Sequence, residues 1–229
     1  MPQFSTLRKL LLRFFCSCIL LSIASTICLR FVPPPITPLM IIRGFEGLSE
    51  GKGFVIQKQW QPLEKISPFL VRAVIASEDQ KFLHHSGFDL DAIAKAYKDN
   101  SLGKRQKGAS TISQQTAKNL FLWPTSSYLR KAVEVYFTLL LELVWNKERI
   151  IEVYLNVAEF GPGIYGAEQA SRIYFHKRAA QLKAQEAAML AAILPSPRRW
   201  NAARPTAYLQ QRRQWIMRQM RNIGPIDLE

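Results

Sequence analysis

Two adjacent carboxylates, Glu78 and Asp79, stand in the stretch ASEDQKFLHHSGFD, beside His84 and His85, two of the three histidines in the chain. On a helix, Leu70, Val71, Val74 and Ile75 share one face, and Glu78 continues that stripe four residues after Val74. A carboxylate turned towards the core has its charged form destabilised by desolvation, which suits a general acid or base near neutral pH. The plainer alternative, in which Glu78 and Asp79 pair with Arg72, Lys81 or a histidine, stays open from this stretch alone. The histidines lack metal-ligand spacing and no HExxH occurs, so structural hydrogen bonds are expected of them.

In KGASTISQQTAKNLFL, a glycine and two hydroxyl residues lead into a helix N-terminus, whose free N–H groups form an anion site. Thr111, Gln115 and Lys118 then share a helical face suited to a phosphate or a sugar hydroxyl, or simply to water. Further on, Arg130, Glu134, Thr138 and Glu142 recur every fourth residue along an otherwise apolar helix. A polar line on a buried helix is expected to line a cleft, although Arg130 and Glu134 can also pair with each other. Asn156 and Glu159 flank a glycine-rich turn at 161–166 and either border a site or merely cap and solvate.

The elements that must position these residues are mostly helical. Ser67 with Pro68, Asp89, Thr111 with Gln114, Ser127 and Asn146 each precede an apolar-periodic run as helix caps. AAQLKAQEAAMLAAIL stops at Pro195, and AYLQQRRQWIMRQMRN is a basic amphipathic helix. VPPPITPLM is expected to be a stiff, extended connector, and 41–66 mostly loop with a short strand near GFVIQKQW. These features predict one mainly α domain.

The chain of 229 residues opens with an apolar run, Leu11–Val32, interrupted only by Arg13 and Arg30. That run is long enough to span a bilayer, and no convincing cleavage site follows it, so a retained anchor is expected. Arg8, Lys9 and Arg13 precede it, which orients the N-terminus to the cytoplasm. The expected organisation is a cytoplasmic tail at 1–9, a transmembrane helix at 10–32, a linker and irregular entry segment at 33–60, and the folded domain at 61–229. Cys16, Cys18 and Cys28 all lie in the apolar run, which leaves the domain without a disulfide framework or a cysteine zinc site. Residues 1–32 hold four Lys or Arg and no acid, leaving 27 basic against 17 acidic residues beyond them. An anchored basic domain of this kind implies a membrane-borne anionic substrate rather than nucleic acid.

Taken in order, EDQKFLHHSG, GASTISQQTAKN, RKAVE and RIIEVYLN resemble the four blocks of the bacterial peptidoglycan glycosyltransferases, the module shared with class A penicillin-binding proteins. The resemblance covers about residues 60–200, and with no room for a transpeptidase domain the expected form is monofunctional and single-pass. It implies a lysozyme-like, mainly α fold with a small membrane-facing lobe around 88–107, whose GKRQKG would meet lipid headgroups. Glu78 matches the catalytic base and Glu134 the second essential carboxylate. Asp79, Phe82 and His85 match the shell around the base and count among the substrate-binding positions. Ser110, Thr111, Gln114, Gln115, Lys118 and Asn119 match further substrate positions, and Arg130 and Lys131 match diphosphate-binding ones.

The implied substrates are lipid II and undecaprenyl-linked glycan at the bacterial inner membrane, with the domain periplasmic. A divalent cation (Mg or Mn), with Glu134 as a possible ligand, and other cell-wall synthesis or division proteins as partners are further implications. Ser113, His176 and Ala202 depart from the family pattern. A lytic glycan-cleaving enzyme and a non-catalytic membrane-tethered scaffold are the alternatives.

Overall fold

The computed structural model describes residues 2–101 and 109–228, with side chains from residue 7. The chain divides into two compact units, residues 1–34 and residues 35–229. The first is helix α1 (Pro2–Phe31), of which Leu7–Phe31 is long and apolar enough to cross a membrane. The stretch read as a span, 10–32, overlaps this helix.

In the second unit the expected loop begins instead as a helix, α2 (Pro38–Ser49). Thr37 caps it by accepting from the Met40 N–H at 3.3 Å, and Pro38 supplies a first-turn φ that needs no N–H. Gly44 and Gly47 disguise the helix in the sequence, but Gly44 answers a tertiary need: a Cβ there would meet the Phe54 ring at 2.6 Å. The short strand β1 (Gln57–Lys58) follows as expected.

Helix α3 (Pro68–Glu78) is the central element, with Leu70, Val71, Ala73, Val74, Ile75 and Ala76 all buried. Ser67 caps it. Helix α4 (Leu90–Ser101) buries no residue and lies in the stretch expected to form the small lobe. The whole GKRQKG segment, and with it the end of that lobe, lies outside the described residues.

Helix α5 (Ile112–Phe121) packs against α6 (Tyr128–Val144), α7 (Lys147–Val157) and α2. β2 (Glu159–Gly161) pairs antiparallel with β3 (Ile164–Tyr165), and β3 pairs in parallel with β1, giving a small sheet ordered β1–β3–β2. Helix α8 (Ala167–Phe175) leads to α9 (Ala184–Ile193) and α10 (Ala207–Ile223), which pack on each other and on α3. The caps expected at Asp89, Thr111, Ser127 and Asn146 all form.

Helix α6 is not the buried helix that its composition suggests. Its buried residues are Glu134, Thr138 and Leu141, while Tyr128, Leu129, Leu139 and Leu143 are exposed. The polar line is on the inward face with Leu141, and Tyr128, Leu129, Leu139 and Leu143 point outward.

Candidate functional site

Glu78 is the last residue of α3, and its side chain is 11% exposed. Its two oxygens face different elements. Oε2 accepts from Gln115 Nε2 at 3.0 Å, and Gln115 in turn accepts from the Tyr154 hydroxyl on α7 at 3.2 Å. Oε1 has no hydrogen-bond partner and lies 3.8 Å from Nη2 of Arg212 on α10. Burial raises the Glu78 carboxyl above the usual glutamate range, against the smaller downward pulls of Gln115, Arg212, Ser77 and Lys118. Burial, helped by the charges of Glu78 and Asp79, also holds the Tyr154 phenol in its neutral, donating form.

Asp79 has the opposite environment. Its carboxylate accepts from the Ile112 N–H at 3.0 Å and lies 2.9 and 3.1 Å from His85 Nε2. The N-terminus of α5, expected to hold a substrate anion, is therefore occupied by a carboxylate of the protein itself. Thr111 and Gln114 complete the closure. Gln114 Oε1 accepts from the Thr111 N–H at 3.0 Å, and the Thr111 hydroxyl donates to Gly87 O at 2.6 Å. Gly87 has φ +87°, and a Cβ there would lie 2.8 Å from the Thr138 methyl, so this turn requires glycine.

Phe82 is fully buried beneath Lys147, whose Nζ sits 4.8 Å from the ring centroid. Lys147 also donates to His85 O at 2.6 Å and pairs with Glu142, which accepts from the Ser113 hydroxyl at 2.5 Å. Glu142, the last member of the polar line on α6, is thus committed to structure. Asp79, Phe82, His85, Thr111 and Gln114, counted among the substrate-binding positions, are buried or nearly so, and each contacts neighbours within the fold. Of the expected substrate residues in this stretch, Ser110 alone is exposed.

Gln115, Lys118 and Asn119 turn the other way and line a cavity of about 390 Å³ with Arg43, Tyr154 and Glu159. The loop 194–199 closes its far side. Burial lowers the Lys118 ammonium below the usual lysine range, opposed by Glu134 and reinforced by Arg130, Lys131 and Arg43. Lys118 is therefore within electrostatic range of both Glu78 and Glu134. Glu134 is 3% exposed and receives Arg130 Nη1 at 2.7 Å and Lys131 Nζ at 2.5 Å, so the pairing open in the sequence does form. Three cations surround one carboxylate, leaving a local excess of positive charge.

Glu159 borders the cavity and stays within 3.9 Å of Arg43, and burial raises its carboxyl. Asn156 does not border it: its side chain is bonded to both backbone groups of Gln61 at 2.8 Å.

Arg212, Tyr154, Arg43 and Arg198 were missed in the sequence. Arg43 and Arg198 share Glu46, at 2.6 and 3.1 Å, and so tie α2 to the loop above the cavity. Arg212 had a readable signal, since it sits at helical spacing between Leu209 and Ile216, both fully buried.

Residues 48–221 match the transglycosylase family. The chain is 51% identical over 226 residues to the biosynthetic peptidoglycan transglycosylase of Shewanella oneidensis, covering 99% of this chain and 94% of the relative. It is 51% identical over 224 residues to the protein of the same name from Aeromonas hydrophila, covering 98% of this chain and 93% of the relative. A third relative of that name, from Bacteroides thetaiotaomicron, is 52% identical over 218 residues, covering 95% and 86%.

Proposed function

The chain belongs to the transglycosylase family, and from that premise we propose that it polymerises peptidoglycan glycan chains with Glu78 as general base. In this reading Glu78 takes the proton of the sugar 4-hydroxyl of a lipid II acceptor. The oxygen so released attacks the anomeric carbon of the lipid-linked growing chain, the bond to the diphosphate breaks, and the configuration inverts. Undecaprenyl diphosphate leaves with the electron pair. The observation that carries the reading is the buried carboxylate of Glu78, held on one oxygen by Gln115 and unbonded on the other.

Charge develops on the leaving diphosphate, and Lys118, Arg130 and Lys131 are the cations that stabilise it. Glu134 holds Arg130 and Lys131 in place while leaving one net positive charge between them. A divalent ion does not fit at Glu134 as arranged, because both its oxygens already carry a cation. Among the described residues no three His, Cys, Asp or Glu cluster as metal ligands. No step is routed through a metal, and polymerisation is expected to retain most of its rate in excess chelator, measured beside a magnesium-supplemented control.

The anchor reading rests on α1 and the basic residues before it: the N-terminus in the cytoplasm and the domain outside the inner membrane. Anionic lipid headgroups then attract the basic domain, and lipid II reaches it in the membrane plane. A lytic enzyme needs its glutamate as a general acid and has no phosphate to neutralise, so the cations around Glu134 favour synthesis over cleavage.

The test is to incubate the detergent-purified protein with labelled lipid II and resolve the products. A ladder of glycan polymer from the unaltered protein, absent for Glu78→Gln, is the expected result. Shortening of preformed glycan without new polymer points to the lytic enzyme, and inertness towards both substrates to the scaffold.

A further inference from the structure

Helix α10 carries a surface that the reading above leaves unused. At 100° per residue, Tyr208, Gln211, Arg212, Trp215 and Arg218 fall within an arc of about 120°. Together they line one open depression of about 350 Å³. Tyr208 is 43% and Trp215 38% exposed, although the opposite face of the same helix buries Leu209, Ile216 and Met220 completely or nearly so. Two large aromatic rings thus stay partly exposed, Tyr208 leaning on the Trp200 ring with centroids 5.5 Å apart, on a helix that has a core to bury others in.

The charges on this face are sparsely paired. Among the described residues Arg218 makes no ion pair, and the only ionic neighbour of Arg212 is Glu78, at 3.8 Å. Arg212 Nε is buried and has no hydrogen-bond partner. Arg212 therefore joins the depression to the unbonded Oε1 of Glu78, while Gln115 and the cavity with Lys118 lie on the Oε2 side.

Flat aromatic faces stack on the C–H faces of sugar rings, and guanidinium groups pair in bidentate fashion with carboxylates. We propose that the Tyr208–Arg212–Trp215–Arg218 face of α10 is an acceptor subsite for a carboxylate-bearing amino sugar. Tyr208 and Trp215 hold the saccharide, Arg218 and Gln211 hold its carboxylate-bearing side arm, and Arg212 brings the hydroxyl to Glu78. The role as acceptor rests on the polymerase reading; the binding of such a saccharide does not. Donor and acceptor then approach Glu78 from its two oxygens, and the diphosphate cations serve only the donor side.

The full-length protein in detergent is titrated with lipid-free N-acetylglucosaminyl-N-acetylmuramyl-peptide, followed by nuclear magnetic resonance of selectively labelled Trp indoles. The Trp215 resonance is expected to shift on saturation, and N,N'-diacetylchitobiose, an amino-sugar disaccharide with no carboxylate, is expected to bind about tenfold more weakly. Trp215→Ala and Arg218→Glu, both at exposed positions, are expected to raise the KM for lipid II about tenfold with kcat nearly unchanged, whereas Trp215→Phe retains most of the affinity.

An unmoved Trp215 resonance, with Trp215→Ala and Arg218→Glu polymerising normally, overturns the subsite and leaves the polymerase reading intact. A shifted Trp215 in a protein that makes no polymer overturns that reading and, with it, the acceptor role. Equal affinity for the muramyl-peptide disaccharide and the carboxylate-free disaccharide overturns the part given to Arg218.

Discussion

Glu78 and Asp79 are neighbours in sequence, equal in charge and both largely withdrawn from water, yet they occupy opposite kinds of surroundings. Asp79 is saturated by the Ile112 N–H and His85, within a web that includes Thr111, Gln114, Gly87 and Lys147. Glu78 keeps an unbonded oxygen 3.8 Å from Nη2 of Arg212. Saturation fixes a backbone, and incompleteness leaves a group free to exchange a proton. The protein places the two side by side, so that the contacts of Asp79 fix the backbone from which Glu78 projects.

The sharpest break of this comparison is a matched pair of isosteres. Glu78→Gln should lower the polymerisation rate by about a thousandfold while the protein stays folded, as expected for loss of a general base. Its stability should also respond in a defined sense. Burial raises the Glu78 carboxyl, so the folded protein holds that proton more tightly than the unfolded chain does, and ionisation at neutral pH costs stability. Glu78→Gln should therefore melt above the parent at pH 7, with the gap closing below about pH 4, where both forms are neutral. Calorimetry at the two pH values decides this.

Asp79→Asn should do the reverse. It costs about 2–4 kcal/mol by leaving a donor of the Ile112 or His85 contacts without its acceptor, and activity falls only as far as the folded fraction and alignment fall. Equal melting temperatures for the two variants would end the distinction between them.

A smaller effect separates the groups around Glu78 itself. Gln115, Ser77, Arg212, Lys118 and Tyr154 face this carboxyl, and Arg212 pulls its titration downward. In Arg212→Met that pull is gone, so the acid limb of the kcat profile should move to higher pH, with a loss of roughly two- to tenfold at pH 7. A limb that stays in place would mean that Glu78 does not titrate in turnover.

The smallest expected effect lies outside both regions. His176 closes α8 in the left-handed conformation at φ 57°, the one described non-glycine residue with positive φ. His176→Gly should stabilise the fold by about 0.5–1 kcal/mol and leave the rate untouched, a control for variants whose effects are only structural.

The caps at Ser67, Thr111, Ser127 and Asn146 were legible in the sequence because their chemistry spans three residues. The inward turn of Glu78 was legible because it continues an apolar stripe. Helix α2 was not, because its glycines look like loop until Phe54 is seen against Gly44. The bond from the Thr111 hydroxyl to Gly87 O and the seat of Asp79 on the Ile112 N–H were hidden for a similar reason, since the fold supplies both partners. Arg212 shows how far local reading extends: periodicity turns it partly inward, but only tertiary packing brings it to a carboxylate 134 residues earlier.

The outward leucines of α6 bear on how this protein behaves at the bench. A helix with an ionic interior and a leucine exterior is solvated better by hydrocarbon than by buffer, whether or not α1 is attached. Stripped of detergent, such a surface is sticky, and copies would cover it with one another. Particle sizes recorded in plain buffer would then report the solvent's aversion to Leu139 and Leu143, and assembly is better measured in micelles or nanodiscs.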